Sequence, residues 1–203
     1  IGKTRLDCAD ESLDALGYVV ENRVLGSVLF ERLQSFENIT LLCPARVLKI
    51  QTNAEATRLE IEHNDVVSKL QTKVLVAADG GNSFVREQMG IRSFATDYGQ
   101  TAVITNVSCE RPHQNIAYER FTDSGPLAIL PLPDLDGESR CSIVWSVKQD
   151  QRDDLLALND ETFLEQLQSR FGEHLGKFTR AGKRVAYPLS LRQAREHVRE
   201  RLA

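Results

Sequence analysis

The sequence predicts an α/β protein in which a strand–turn–helix unit of nucleotide-site type precedes an antiparallel sheet. Two stretches carry that reading. Val74–Ala78 is an apolar run of strand length that stops on Asp79, turns through Gly80 and Gly81, and leads to a helix starting at Phe84 with Asn82 or Ser83 as its cap. From residue 101 the character changes: Thr101, Val103, Thr105 and Val107 alternate with Ala102, Ile104 and Asn106. Ile116–Phe121, Leu127–Leu132 and Cys141–Val147 follow as short strands. Turns are marked at Asp123-Ser124-Gly125 and Asp136-Gly137. Short strands joined by tight turns make an antiparallel sheet with one face packed and the other at least partly open.

Residues 1–15 show no periodicity, and Leu16–Val20 reads as a short strand ending at Glu21-Asn22. Asn22 is the expected N-cap of a helix whose apolar residues at 25, 28, 29, 33 and 36 share one face. Ile39–Leu42 is the next expected strand, broken by Pro44 and resumed at Arg46–Ile50. Arg58–Gln71 reads as a hairpin turning at Asn64-Asp65 and leading to the Val74 strand. After the sheet one helix is expected, capped near Asn159 or Asp160, with Phe163, Leu164, Leu167 and Phe171 inward and Gly172 and Gly176 at its end. Arg184–Leu189 is a last strand, placed at an edge by Pro188. Residues 191–203 are charged and carry no pattern.

Composition narrows the function classes. A net charge of −4 argues against nucleic acid as a partner. Residues 177–201 nevertheless carry eight Lys or Arg against two Glu, a solvated face or a surface for anionic lipid or cofactor phosphate. The four cysteines and four histidines are scattered, so neither a disulfide framework nor a metal site is expected, and the cysteines read as buried thiols. No window reaches the length of a membrane span and no signal peptide opens the sequence, so a cytoplasmic protein is expected. Twelve glycines contain no G-x-G pair, hence neither a G-x-G-x-x-G fingerprint nor a P-loop. No catalytic acid, base or nucleophile is named by the sequence.

An aspartate closing a strand before a glycine turn is placed to accept ribose hydroxyls, and free N–H groups at a helix start favour phosphate. The string from Lys73 to Gly90, with Ser83 and Arg86 as S-x-x-R after Asp79-Gly80, resembles the D-G fingerprint of class A FAD-dependent aromatic hydroxylases. Ala15–Asn22, Tyr118–Asp134, Cys141–Trp145 and Leu175–Leu191 resemble the ubiquinone-pathway members that hydroxylate 2-polyprenyl-6-methoxyphenol. The likeness to sister hydroxylases of that pathway is less discriminating. A nicotinamide-dependent dehydrogenase and a non-catalytic binding module are the rival readings.

The resemblance implies a partial Rossmann-like FAD-binding domain (residues 1–97), an inserted antiparallel substrate-binding sheet (98–189) and the start of a return to the FAD domain (190–203). It implies cofactor contacts from Asp79, Gly80 and Arg86, from Asn22 at a flavin-contacting position and from Val47 behind the adenine. Tyr118, Arg120 and Pro131 are the implied substrate-binding residues, and Trp145 is read as packing. It implies a flavin monooxygenase that takes electrons from NADPH or NADH and uses O₂ to hydroxylate a prenylated phenol. Such relatives open with a G-x-G-x-x-G helix and continue beyond the R-L-A at 201–203, so this chain reads as a central portion that holds FAD weakly by itself. The prenyl tail suggests weak peripheral contact with the inner membrane through Lys177, Lys183, Arg184 and Arg192, or delivery by ubiquinone-synthesis protein partners.

Overall fold

The computed structural model describes residues 2–123 and 125–203; Ser124, inside the turn expected at 123–125, lies outside them. In chain order the elements are a 3₁₀ turn at Cys8–Glu11, α1 (Asn22–Gln34), β1 (Ala45–Thr52), β2 (Thr57–His63), β3 (Val66–Thr72) and α2 (Phe84–Gln88). There follow β4 (Ser93–Cys109), β5 (Tyr118–Thr122), β6 (Gly125–Leu135) and β7 (Glu138–Lys148). Another 3₁₀ turn, α3 (Arg152–Ala157), α4 (Asp160–Phe171), β8 (Phe178–Ala181) and β9 (Val185–Ala194) complete them. By internal packing the chain divides into two units: residues up to Leu29 with Gly99–Leu189, and Phe30–Tyr98 with Ser190–Ala203. The segment up to Leu29 thus groups with the larger sheet, to which Glu21 is bonded through Asn106.

The first unit is built on a sheet of order β5-β6-β7-β4-β8, with β9 also paired to β4. Register explains its core. Val103 faces Trp145, which faces Leu127; Thr105 faces Ile143, which faces Ile129. Alternation sends these rows to one side of the sheet, where α4 covers them with Phe163, Leu167 and Phe171, all buried. The Trp145 and Phe163 rings lie 5.8 Å apart. The Asn159 side chain caps α4 by accepting from the Thr162 N–H at 2.8 Å. Gly172 ends the helix at φ +87°, a backbone region that glycine enters without steric cost. Gln168 then fastens the helix end: its amide donates to the Gly172 and Gly176 carbonyls, and its Oε1 accepts from the Phe178 N–H at 3.0 Å. The α3 turn was not legible in the sequence, because six residues hold too little periodicity to register.

The second unit holds the sheet β1-β2-β3. Asn64 and Asp65, at φ 51° and 61°, form the two-residue turn between β2 and β3, as the Asn-Asp pair predicts. Ile50, Leu59, Ile61, Val85 and Leu202 make its small core.

Several expectations are corrected. Val74–Ala78 is not a buried strand: Val74 is 56% and Val76 68% exposed, and only Leu75 forms a bridge, parallel to Leu202. One backbone neighbour and one packed side, shared by Leu75 and Ala77, leave the alternate residues uncovered. Leu16–Val20 and Ile39–Leu42 form no strand, since neither finds a ladder partner among the described residues. Residues 191–203 do carry structure: they run back into the second unit, with Leu202 buried. Of the four thiols, Cys109 and Cys141 are buried with sulfurs 3.6 Å apart, whereas Cys43 is exposed and Cys8 half-buried.

Leu167 sits fully buried at the centre of the α4 contact. Leu167→Ala should cost about 2–5 kcal/mol, the range for deleting a well-packed leucine. Urea unfolding followed by Trp145 fluorescence measures it, and a loss under about 1 kcal/mol would mean that α4 is loosely docked.

Candidate cofactor and substrate sites

The strand-end turn is built locally. Ser83 Oγ accepts from the Arg86 N–H at 2.9 Å, which makes Ser83 and not Asn82 the cap of α2. Asp79 Oδ2 accepts from the Val85 N–H at 3.1 Å, and the Ser83 carbonyl from the Glu87 N–H at 3.3 Å. The N–H groups expected to be free for phosphate are therefore engaged within the turn itself. Partial burial pushes the Asp79 carboxyl up. Hydrogen bonds from the Ser83 hydroxyl and from the N–H groups of Val85, Asp79 and Phe84 outweigh that, and the group is held below the usual aspartate range.

Around this turn the structure gathers Asp79, Gly80 and Arg86, and adds Arg192, which the sequence reading assigned to a membrane surface. Gly80 is at φ +81°, and a Cβ on Gly80 or Gly81 would meet nothing within 4 Å, so open space lies beside the backbone. The Gly81 carbonyl accepts from the Arg86 guanidinium and, at 2.9 Å, from Arg192, which also donates to Asn82 Oδ1 at 2.9 Å. Arg192 comes from 111 residues downstream, a separation at which no motif could have signalled it. These features fit the ribose side of a dinucleotide: an exposed carboxylate held in its charged form stands beside glycines that leave room for close approach. Val47, half-buried on β1, packs on the same small core as Val85.

Asn22 belongs to the first unit and is exposed. It is the first residue of α1, one position inside the expected cap. The Glu21 carbonyl accepts from the Val24 and Leu25 N–H groups at 2.9 and 3.1 Å, so Glu21 is the capping position. The Glu21 side chain turns to the sheet: it accepts from Asn106 Nδ2 at 2.9 Å and pairs with Arg140 at 3.6 Å.

Tyr118, Arg120 and Pro131 all point to the α4 side of the sheet. The Tyr118 ring meets the Phe171 ring edge-on at 5.3 Å, and Arg120 lies over that ring at 5.5 Å while donating to the Arg170 carbonyl at 3.1 Å. Pro131 faces Cys141 in register, on the buried side of β6. The opposite face of the same strands presents Phe121, 85% exposed, with Ala128 and Leu130 half-buried.

Of the four basic residues expected at a membrane surface, two are committed elsewhere: Arg192 as above, and Arg184 by a 3.0 Å pair with Asp160 and a bond to the Leu158 carbonyl. Lys177 and Lys183 are exposed. Among the described residues no cluster of three or more His, Cys, Asp or Glu could hold a metal, and no helix is long and apolar enough to cross a membrane.

Residues 18–202 match the profile of the FAD binding domain family. The chain belongs to that family. It is 38% identical over 193 residues to ubiquinone hydroxylase UbiL of Rhodospirillum rubrum, covering 95% of this chain and 43% of that protein. It is 32% identical to 3-demethoxyubiquinol 3-hydroxylase of Escherichia coli, covering 97% and 48%. Human ubiquinone biosynthesis monooxygenase COQ6 is 31% identical, covering 89% and 40%. The chain thus spans less than half the length of these relatives. Among solved structures the flavin-dependent halogenase CmlS superposes with TM-score 0.69 at 12% identity, over 90% of this chain and 34% of that one. The p-nitrophenol 4-monooxygenase PnpA of Pseudomonas putida DLL-E4 superposes with TM-score 0.66 at 19% identity, over 89% and 45%. These superpositions establish the FAD-binding fold.

The lowered Asp79 carboxyl has a definite sign in stability. Its contribution is fully present above the ordinary aspartate pKa and is lost as pH falls through the lower, folded-state value. Wild type should therefore exceed Asp79→Asn in stability at neutral pH, and the two should converge in acid. Paired urea titrations across acid pH check this, and a gap that persists at the lowest pH would assign the effect to something other than the charge.

Proposed function

We propose that the chain is part of an FAD-dependent monooxygenase that hydroxylates a polyprenylated phenol of ubiquinone synthesis, with NADPH or NADH as the electron source. The observation that carries this reading is the exposed, ionised Asp79 beside open space at Gly80 and Gly81, in a chain nearly all of which aligns with under half the length of ubiquinone hydroxylases. Bound FAD supplies the redox chemistry by which O₂ delivers an oxygen atom to an electron-rich ring.

Each residue then has a part. Asp79 accepts from ribose hydroxyls, and its low pKa keeps it an acceptor across the working pH range. Gly80 lets the cofactor backbone come close, Asn22 offers a polar contact to the flavin, and Val47 backs the adenine. Arg86 acts at one remove, since its guanidinium already shapes the turn through Gly81 while keeping positive charge beside the pyrophosphate. The phenol ring rests on β5 and β6. Tyr118, Arg120 and Pro131 set those strands from the helix-covered side, and Phe121, Ala128 and Leu130 meet the ring and its tail from the open side. Contact with an anionic membrane falls to Lys177 and Lys183, each worth at most about 1 kcal/mol. Delivery by a ubiquinone-synthesis partner protein is the other route to a lipid-soluble substrate.

The test uses the full-length protein. It should purify yellow, oxidise NADPH or NADH in dependence on a prenylated phenol, and place label from ¹⁸O₂ in the product. Absence of flavin, or of label, would refute the reading. Asp79→Ala should raise the FAD dissociation constant by about tenfold or more, yet leave kcat at saturating FAD within about threefold. An unchanged FAD dissociation constant would leave Asp79 as a turn-forming residue only. Lys177→Gln with Lys183→Gln should lower co-sedimentation with anionic vesicles at low salt but not at high salt.

A further inference from the structure

Helix α1 presents an anomaly. It buries none of its residues, although Leu25, Val28, Leu29 and Leu33 line one face. Its capping position is Glu21, a residue type outside the favoured Ser, Thr, Asp and Asn. The side chain does not cap. It reaches the central strands of the large sheet, accepting from Asn106 Nδ2 on β4 at 2.9 Å and pairing with Arg140 on β7 at 3.6 Å. Arg140 and Glu21 are only 14% and 28% exposed, so the pair is largely withdrawn from water.

The two partners are themselves fixed. Arg140 Nε donates to the Pro133 carbonyl at 3.1 Å, and the Asn106 carbonyl accepts from the Gly182 N–H at 2.8 Å. Asn106 faces Ser142 in register and Arg140 faces Ser108, so both rise from the face opposite the α4 core. A half-buried carboxylate on a site with an arginine and an amide donor is strongly oriented, because breaking one partner strands the other away from solvent. The residue it orients is its neighbour, Asn22.

We propose that Glu21 is a positioning residue: through Asn106 and Arg140 it fixes the first turn of α1, and with it Asn22, over the open face of the large sheet for contact with the flavin. The inference rests on the reading of the protein as a flavin enzyme with Asn22 among its flavin contacts, and adds to it the residue that orients Asn22. Direct contact between Glu21 and the cofactor is not required, since both its carboxylate oxygens are already engaged.

The experiment compares Glu21→Ala, Arg140→Met, the double variant, the charge swap Glu21→Arg with Arg140→Glu, and Asn22→Ala, all in the full-length protein. FAD dissociation constants come from flavin fluorescence, and melting temperatures from the apoproteins. Glu21→Ala and Arg140→Met should each weaken FAD binding about tenfold, and the double variant should be no worse than either, as members of one pair behave. The charge swap should recover part of the loss. Apoprotein melting should shift by less than about 4 °C, which separates positioning from general instability. Where Glu21→Ala fails to fold, Glu21→Gln keeps the Asn106 bond and removes only the charge. FAD binding within about twofold of wild type in the Glu21 variants, or losses that multiply in the double variant, would overturn the proposal. Asn22→Ala separates the two levels. Weak FAD binding there, with normal binding in Glu21→Ala, overturns the positioning role and keeps the flavin site. The reverse also overturns the proposal, because Asn22 would then not be the contact that Glu21 positions. A full-length protein that takes up no FAD in any form overturns both.

Discussion

The second unit depends on how its last residues close it. Leu202 fills the small core, and the backbone of Arg201–Ala203 pairs with Leu75–Ala77: the Leu75 N–H donates to the Arg201 carbonyl at 2.9 Å and the Ala203 N–H to the Leu75 carbonyl at 3.0 Å. Arginines from the same stretch then donate to carbonyls that no strand or helix would satisfy. Arg201 takes those of Ala54 and Lys73, Arg199 that of Met89, and Arg192 that of Gly81. A carbonyl outside regular structure needs a donor, and a guanidinium supplies several in a fixed plane. The Asp79 turn owes its shape to this wiring as much as to its own glycines.

What could be read in the sequence was what is local. The cap at Ser83, the turn at Asn64-Asp65, the Asn159 cap and the inward face of α4 each depend on residues within a few positions of one another. The failures share the opposite property. Val74 and Val76 look buried because they are apolar, but burial depends on neighbours that strand composition does not name. The same holds for Leu16–Val20 and Ile39–Leu42. At the candidate site, Asp79, Gly80 and Arg86 stood in one legible string. Arg192 and the Glu21–Asn106–Arg140 group join positions separated by dozens of residues and leave no spacing to detect.

The basic segment shows why residue identity says more than net charge. All six of its arginines are engaged: Arg180 with Glu138, Arg184 with Asp160, Arg195 over the Phe94 ring at 4.3 Å, and Arg192, Arg199 and Arg201 with carbonyls. Its two lysines are exposed, as are Arg180, Arg192 and Arg195. A planar, weakly hydrated fork suits rings and backbone oxygens, whereas a compact ammonium holds its water. A stretch that a charge count assigns to free surface charge is largely surface scaffolding, its guanidiniums tied to neighbouring groups.

The Arg201–Lys73 bond joins residues 128 positions apart. On a ribosome adding roughly 5–20 residues per second, Lys73 and the apolar segment after it wait on the order of ten seconds for their partner to be made. Through that interval β3, with Val66 and Val67 exposed even in the finished fold, and the Val74–Val76 run have no closing segment available. Until residues 201–203 emerge, the nascent chain thus offers an extended apolar tract of the kind that holding chaperones engage.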